Sequence, residues 1–269
     1  MAVKITTVSD FNQKPALMFY AYIMSFLVMI QLICDAVALI TVDFSKHIHI
    51  SASGIIFPIA FVMIGITANI YGSERAKIVA LAMTIAQFIF CMAVFTFALI
   101  KKGQIYPDNS VTTSFYDYFH RYWTVTASGI LDTFLPLWIC SVLTSKCKKW
   151  FIGKTSQTGG FFYNFPFFGY FFTILIPLCI SQLSLVLITY SINFGLGVGV
   201  SFSELINIIT STYIYKLAIG LTISLLLTRP LVRLCRIIDK IDTYDYGVSY
   251  SVLPKKANTG INNFSEQLS

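Results

Sequence analysis

The sequence predicts an all-α, polytopic integral membrane protein with six transmembrane helices and both termini in the cytoplasm. Three observations carry this expectation. Only 12% of the 269 residues are charged while 56% are hydrophobic, whereas soluble domains hold about 25% charged residues. The mean hydropathy is +0.74, and the apolar residues gather into runs long enough to cross a hydrocarbon core of ~30 Å. Lysine and arginine fall in the gaps between those runs, preferentially in every second gap. The net charge of +7 is therefore a topology signal and not a nucleic-acid footprint. A lipid bilayer is the expected partner, and nucleic acid is not.

Residues 1–14 are polar and include Lys4, Asp10 and Lys14. No short apolar core with a small-residue cleavage site is present, so no signal peptide is expected. The first span, from about 15 to 42, serves as its own insertion signal and carries Gln31 and Asp35. A short loop follows over 43–52, with His47 and His49; two imidazoles alone make a poor metal site. The second span, Gly54 to Ile70, has no formal charge, contains Pro58 and Gly65, and places Asn69 near its end. Such residues free backbone groups that neighbouring helices or a cavity must satisfy. Tyr71-Gly72 closes it, and Glu74, Arg75 and Lys77 follow at once.

The third span covers about 76–100, with Gln87 its one strongly polar residue, and a polar segment occupies 101–119. A fourth, less apolar span from about 122 to 143 contains Asp132 and Pro136. Lys146, Lys148, Lys149 and Lys154 form a basic loop before the fifth span, which runs from about 161 to 194 and is interrupted by Pro166 and Pro177. Gly195, Gly197 and Gly199 mark a turn, and a sixth span runs from about 205 to 227. Residues 1–238 thus form the membrane domain, and 239–269 read as a loosely ordered cytoplasmic tail.

Counting Lys and Arg by gap gives the orientation. Fourteen of the nineteen fall on the side of the termini, four on the other side, and Lys216 lies within a span. The positive-inside bias puts the termini in the cytoplasm and requires an even number of crossings.

Enzymatic chemistry finds no support. The sequence has no G-x-S-x-G, no H-E-x-x-H and no glycine-rich phosphate loop. No catalytic residue, cofactor or resident metal is expected. The six cysteines show no C-x-x-C pair and read as small apolar thiols of the membrane core.

Polar side chains buried in apolar spans are the informative feature, because a charge at the bilayer centre costs ~2.5–3.5 kcal/mol on insertion scales. Asp132 and Lys216 each lie ~15–16 Å into their spans at a rise of 1.5 Å per residue, and Gln182 falls at a similar depth. Three polar groups at one level suggest a shared site. Equally, an Asp132–Lys216 ion pair could do no more than clasp two helices.

Several stretches resemble one family. They are Phe57-Pro58-Ile59 with Tyr71-Gly72 and Lys77 beyond, Leu131-Asp132 before the basic loop, and Ser181-Gln182 with Ile192-Asn193-Phe194 eleven residues later. Lys216 within YIYKLAIG, with Thr228 and Pro230 further on, completes the set. Their order and spacing resemble the queuosine precursor transporter (VUT) family of six-helix bacterial membrane proteins. The match covers roughly Ile33 to Leu231. It departs at Gly65, Asn69 and Leu185, where the family usually carries acids, at Gly129 in place of a glutamine, and at Lys77 in place of arginine. Asp35 stands where the family more often shows asparagine.

The resemblance implies an importer in the bacterial inner membrane that carries a 7-deazaguanine base, such as preQ0 or preQ1, to the cytoplasm. It implies a substrate site including Asp132, Gln182, Lys216, Asn69, Asp35, Phe57 and Phe194, with aromatics stacking on the base. Other readings stay open: a carrier of another small molecule or vitamin, a substrate-binding membrane subunit of an energised complex, or a membrane protein that binds partners without transporting. Neither the energy source nor the oligomeric state is legible.

Overall fold

The computed structural model describes residues 17–37, 40–45, 48–99, 122–153, 166–192, 201–239, 243–245, 250–254 and 259–261. Helix α1 spans Met18–Ala36. Strands β1 (Thr41–Ser45) and β2 (Ile48–Ser51) pair antiparallel, with Val42 opposite Ile50 and Asp43 opposite His49. Helices α2 (Ala52–Ile56) and α3 (Pro58–Tyr71) form one rod with a break at Phe57. Then come α4 (Ser73–Leu99), α5 (Tyr122–Lys148) with a wider π turn over Lys149–Gly153, α6 (Pro166–Tyr190) and α7 (Phe202–Asp239). Strands β3 (Thr243–Asp245) and β4 (Thr259–Ile261) form a second small antiparallel pair.

The protein is thus helical with two short hairpins, and six long rods build it. Five of the rods are long and apolar enough to cross a membrane. The sixth, α5, is less apolar because Ser128, Asp132, Thr133, Ser141 and Thr144 are built into its buried side. It packs mainly against α6 and α4.

Helix α3 is the centre. It is apolar around its whole circumference, the pattern of a helix enclosed by others, and every residue from Ala60 to Tyr71 is buried. It touches α1, α4, α5, α6 and α7. Between helices in lipid the hydrophobic effect gives little drive, so close backbone approach matters more. A Cβ on Gly65 would stand 3.0 Å from Ile174 of α6, and one on Gly220 of α7 would stand 3.1 Å from Leu178. The outer helices show the opposite arrangement. On α1, Ile23, Leu27, Ile30 and Cys34 face inward, while Met18, Tyr22, Phe26, Met29 and Ile33 form an exposed apolar stripe suited to acyl chains.

Gly72 makes the turn from α3 to α4 almost alone. Its φ of 90° lies in the region that side chains resist. Its N–H closes α3 on the Ala68 carbonyl at 3.1 Å, and its own carbonyl accepts from Ala76 N–H at 3.2 Å.

Several boundaries differ from expectation. The first span ends at Ala36 and not at 42, because Thr41 and Val42 pair in β1, and the loop expected over 43–52 is largely the arm of that hairpin. The fifth helix is described from Pro166, a residue suited to a helix start; residues 161–165 of the expected span lie outside the described residues. The sixth runs to Asp239 and not to 227, straight through Pro230. Its hydropathy falls at Arg229, but its buried stripe of Thr212, Lys216, Gly220, Ser224, Thr228, Val232, Cys235 and Asp239 continues unbroken. Packing on one face sustains that helix beyond the apolar segment.

The chain enters and leaves the bundle at the same end. Asp239 of α7 accepts from the N–H groups of Phe19 and Tyr20 at 3.0 and 3.1 Å, and from the Tyr71 hydroxyl at 2.7 Å. Tyr20 Oη donates to the Arg75 carbonyl at 3.0 Å. Lys77, fully buried, pairs with Glu74 at 2.8 Å and donates to the Ser251 carbonyl at 3.2 Å. Trp138 Nε1 donates to the same carbonyl at 3.3 Å, and the Lys146 ammonium lies 4.2 Å from the Tyr250 ring centroid. Residues 250–251 therefore lie across the ends of α4 and α5.

Candidate functional site

At the other end of the bundle, five of the six helical rods contribute polar side chains to the interior. Asp132 projects from α5 and is buried. Its Oδ2 accepts from Thr189 of α6 at 2.9 Å, Oδ1 lies 3.5 Å from the Thr133 hydroxyl, and Ser128, one turn earlier, also hydrogen-bonds it. Lys216 comes in from α7, 5% exposed. Asp132 and Lys216 are close enough to interact electrostatically, yet they form no direct ion pair. The Lys216 ammonium stands 5.8 Å from the Tyr190 ring centroid, and among the described residues it donates to no hydrogen-bond acceptor. Tyr190 is itself held by Thr212.

The α2 backbone closes this side. A Cβ on Gly54 would lie 3.1 Å from Lys216 Cε, so glycine lets the lysine stem lie against the helix. Phe57, at the break before α3, is buried with its ring edge-on to Phe61 at 5.5 Å. It sits three residues from Gly54, which places it one turn along the same rod.

Gln182 of α6 is wholly enclosed, and among the described residues neither its Nε2 nor its Oε1 has a partner. It shares the inward face of α6 with Leu178, Leu185, Val186 and Tyr190, about 10 Å along the helix from Thr189 at 1.5 Å per residue. A buried amide left unsatisfied costs roughly 1–3 kcal/mol per group. Something other than the surrounding helices must answer it.

Asp35, near the end of α1, belongs to a second cluster. Its Oδ1 accepts from Gln31 Nε2 at 3.0 Å and from Gln87 Nε2 of α4 at 3.1 Å. It feels the charge of Asp132. Gln87 reaches it by lying over α5, where a Cβ on Gly129 would come within 2.6 Å of Gln87 Nε2. Gly129 is the position where the resemblance leads one to expect a glutamine; here a glutamine amide from the neighbouring helix fills the space instead.

Of the seven residues singled out from sequence, the structure brings Asp132, Lys216 and Asp35 into one electrostatic neighbourhood, with Phe57 at its edge and Gln182 deeper in. Asn69 is elsewhere. Its Nδ2 donates to Thr173 Oγ1 at 2.8 Å, and its backbone carbonyl accepts from Lys148 Nζ at 2.5 Å, near the α3–α4 turn. Thr173 is nine residues before Gln182, so Asn69 lies more than two helical turns from that amide. Phe194 falls outside the described residues. Gln31, Gln87, Thr189 and Tyr190 belong to the site's surroundings and were not predicted. A polar residue in an apolar span marked both glutamines, but only the helix register shows what they face.

A bundle of helices long and apolar enough to cross a membrane, enclosing buried polar side chains, defines a multi-pass membrane protein. The chain belongs to the family described as "Putative vitamin uptake transporter", whose model matches residues 51–229. No curated protein and no solved structure matches the chain.

Proposed function

We propose that this protein imports a queuosine precursor, a 7-deazaguanine base such as preQ0 or preQ1, across the bacterial inner membrane into the cytoplasm. The supporting observation is Gln182, fully buried with its donor and its acceptor both unpartnered among the described residues. A lactam or aminopyrimidinone edge offers an adjacent donor and acceptor that match an amide. Asp132 would accept from a ring N–H or exocyclic amine, and Lys216 would donate to the ring carbonyl. Phe57 and Tyr190 supply aromatic surface for a flat base. Sites of this kind in transporters lie near the midplane between helices.

Charge favours one member of the class. Asp132 and Lys216 offset each other, Gly65 packs against Ile174, and Leu185 is buried in apolar surroundings. A neutral solute suits this interior, so the uncharged nitrile of preQ0 should be preferred over the ammonium of preQ1. The test is tRNA queuosine content in a strain that makes no precursor and holds this gene as its sole importer. Supplying preQ0, preQ1 and queuine separately should restore queuosine best with preQ0. Restoration by none of them would overturn the proposal.

A further inference from the structure

We propose that Asp35, Gln31 and Gln87 form a sodium site, and that sodium occupancy drives uptake; the coupling half of this inference rests on the importer reading above. Both glutamines spend their amide nitrogens on the same carboxylate oxygen, Asp35 Oδ1. That fixes the orientation of both amides and leaves both carbonyl oxygens without a donor. Gln31 is 2% exposed and Gln87 5%, and neither Oε1 has a partner among the described residues. Two enclosed acceptors on amides held by one carboxylate, with no donor to them among the described residues, make an environment suited to a cation.

The identity follows from the ligand chemistry. Hard cations take oxygen ligands, and divalent sites usually need several carboxylates. Among the described residues no group of three acidic, histidine or cysteine side chains exists, so a single carboxylate with two neutral carbonyls suits a monovalent ion. A proton on Asp35 would satisfy one acceptor and leave the other glutamine oxygen as it was; sodium satisfies both. The location agrees. Asp35 sits in the last turn of α1, where unsatisfied carbonyls and the negative end of the helix dipole favour a cation. Asp132 adds negative potential from α5, while Lys216 directs its charge at Asp132 and Cys34. Helix C-terminal ends serve sodium in this way in secondary transporters.

Sodium also links the two clusters. Gln87 bonds Asp35 and packs on Gly129 of α5, three residues from Asp132. Filling the first cluster therefore bears on the helix that carries the substrate-facing carboxylate.

Two readouts test the site. The first is the melting temperature of the purified full-length protein in detergent, titrated with sodium chloride against potassium chloride at constant ionic strength. Sodium alone should raise it saturably. Asp35→Asn should weaken that response by at least about a hundredfold in sodium concentration, the lower bound of the loss expected when one partner of a buried charge pair is removed. Gln31→Met, which keeps the charge and the volume but removes the oxygen, should weaken it less, and Gln182→Leu should leave it in place. The second is preQ0 accumulation in proteoliposomes under an inward sodium gradient or an inward proton gradient. Stimulation by sodium only supports the proposal. Equal melting curves in the two salts, with uptake that follows the proton gradient, would overturn it and leave the importer reading standing. A sodium-specific thermal response without uptake of any 7-deazaguanine would keep the ion site and remove the importer reading.

Discussion

Asp239 caps a helix that begins more than two hundred residues earlier: its carboxylate accepts from the Tyr20 backbone N–H at 3.1 Å and from its neighbour Phe19 at 3.0 Å. The first turn of α1 has no cap of its own, since Leu17 precedes it. The last residue of α7 supplies the missing acceptor and so ties the two ends of the membrane domain together. The Tyr71 hydroxyl completes the node from α3.

Replacing Asp239 by alanine removes a helix cap worth about 0.5–2 kcal/mol and leaves the buried Tyr71 hydroxyl without its acceptor, a further ~1–3 kcal/mol. Asp239→Ala should lower the melting temperature and the amount of protein in the membrane. Asp239→Asn keeps one carbonyl oxygen and should fall between the two. Wild-type stability in the alanine variant would show that the cap contributes nothing.

Gly129 and Gln87 give a packing test. A Cβ at residue 129 has no room while the Gln87 amide stays in place, and overpacking of this kind costs roughly 1–3 kcal/mol. Gly129→Ala should reduce abundance and displace Gln87 from Asp35. Adding Gln87→Ala relieves the clash, so the double variant should recover abundance without recovering uptake. Recovery of both in quantitative Western blots and uptake assays would mean that Gln87 serves only to fill space.

How much of this was legible in the sequence depends on the kind of feature. Five of the six rods follow from apolar length, because a bilayer admits few other ways to satisfy a backbone. Helix ends were less legible. Thr41 and Val42 are as apolar as a span requires, and only their pairing with Ser51 and Ile50 takes them out of it. The extension of α7 to Asp239 depends on a face that packs, which hydropathy averaging hides. Within the site, charge in an apolar run marked Asp35, Asp132 and Lys216. The partnership of Gln87 with Asp35 depends on how α1, α4 and α5 align, and no local pattern carries that register. Asn69 shows the converse error. It sits in an apolar helix as Gln182 does, yet its level in the bundle gives it Thr173 and Lys148 as neighbours.

The side on which the termini lie is testable directly. Phe19, Tyr20 and Asp239 meet at one end, and among the described basic residues Arg75, Lys77, Lys146, Lys148, Arg233 and Arg236 belong to that end as well. The positive-inside bias predicts that this end is cytoplasmic. A reporter that works only inside the cell should be active when fused after Ser269 or near Lys149, and inactive near Gly103. Activity near Gly103 would invert the topology.

The last prediction separates a site from a clasp. If Asp132 and Lys216 merely locked α5 to α7, removing one charge would strand the other in the interior, a loss of ~3–5 kcal/mol for a fully buried pair. Removing both would then restore the protein and its transport. The geometry argues against that arrangement. Asp132 spends its direct hydrogen bonds on Thr189 and Ser128, while Lys216 reaches over Tyr190 without touching the carboxylate. The charges sense each other across a gap, and a gap is what a ligand needs. Asp132→Asn with Lys216→Gln keeps hydrogen-bonding capacity and cancels both charges. This double variant should reach near-normal abundance, because Thr189 and Ser128 still bond the amide at 132. Its uptake of preQ0, normalised to protein level, should fall by at least about tenfold, the equivalent of losing one hydrogen bond to a charged group. Normal uptake by the double variant would show that these two charges hold helices and do not read the substrate.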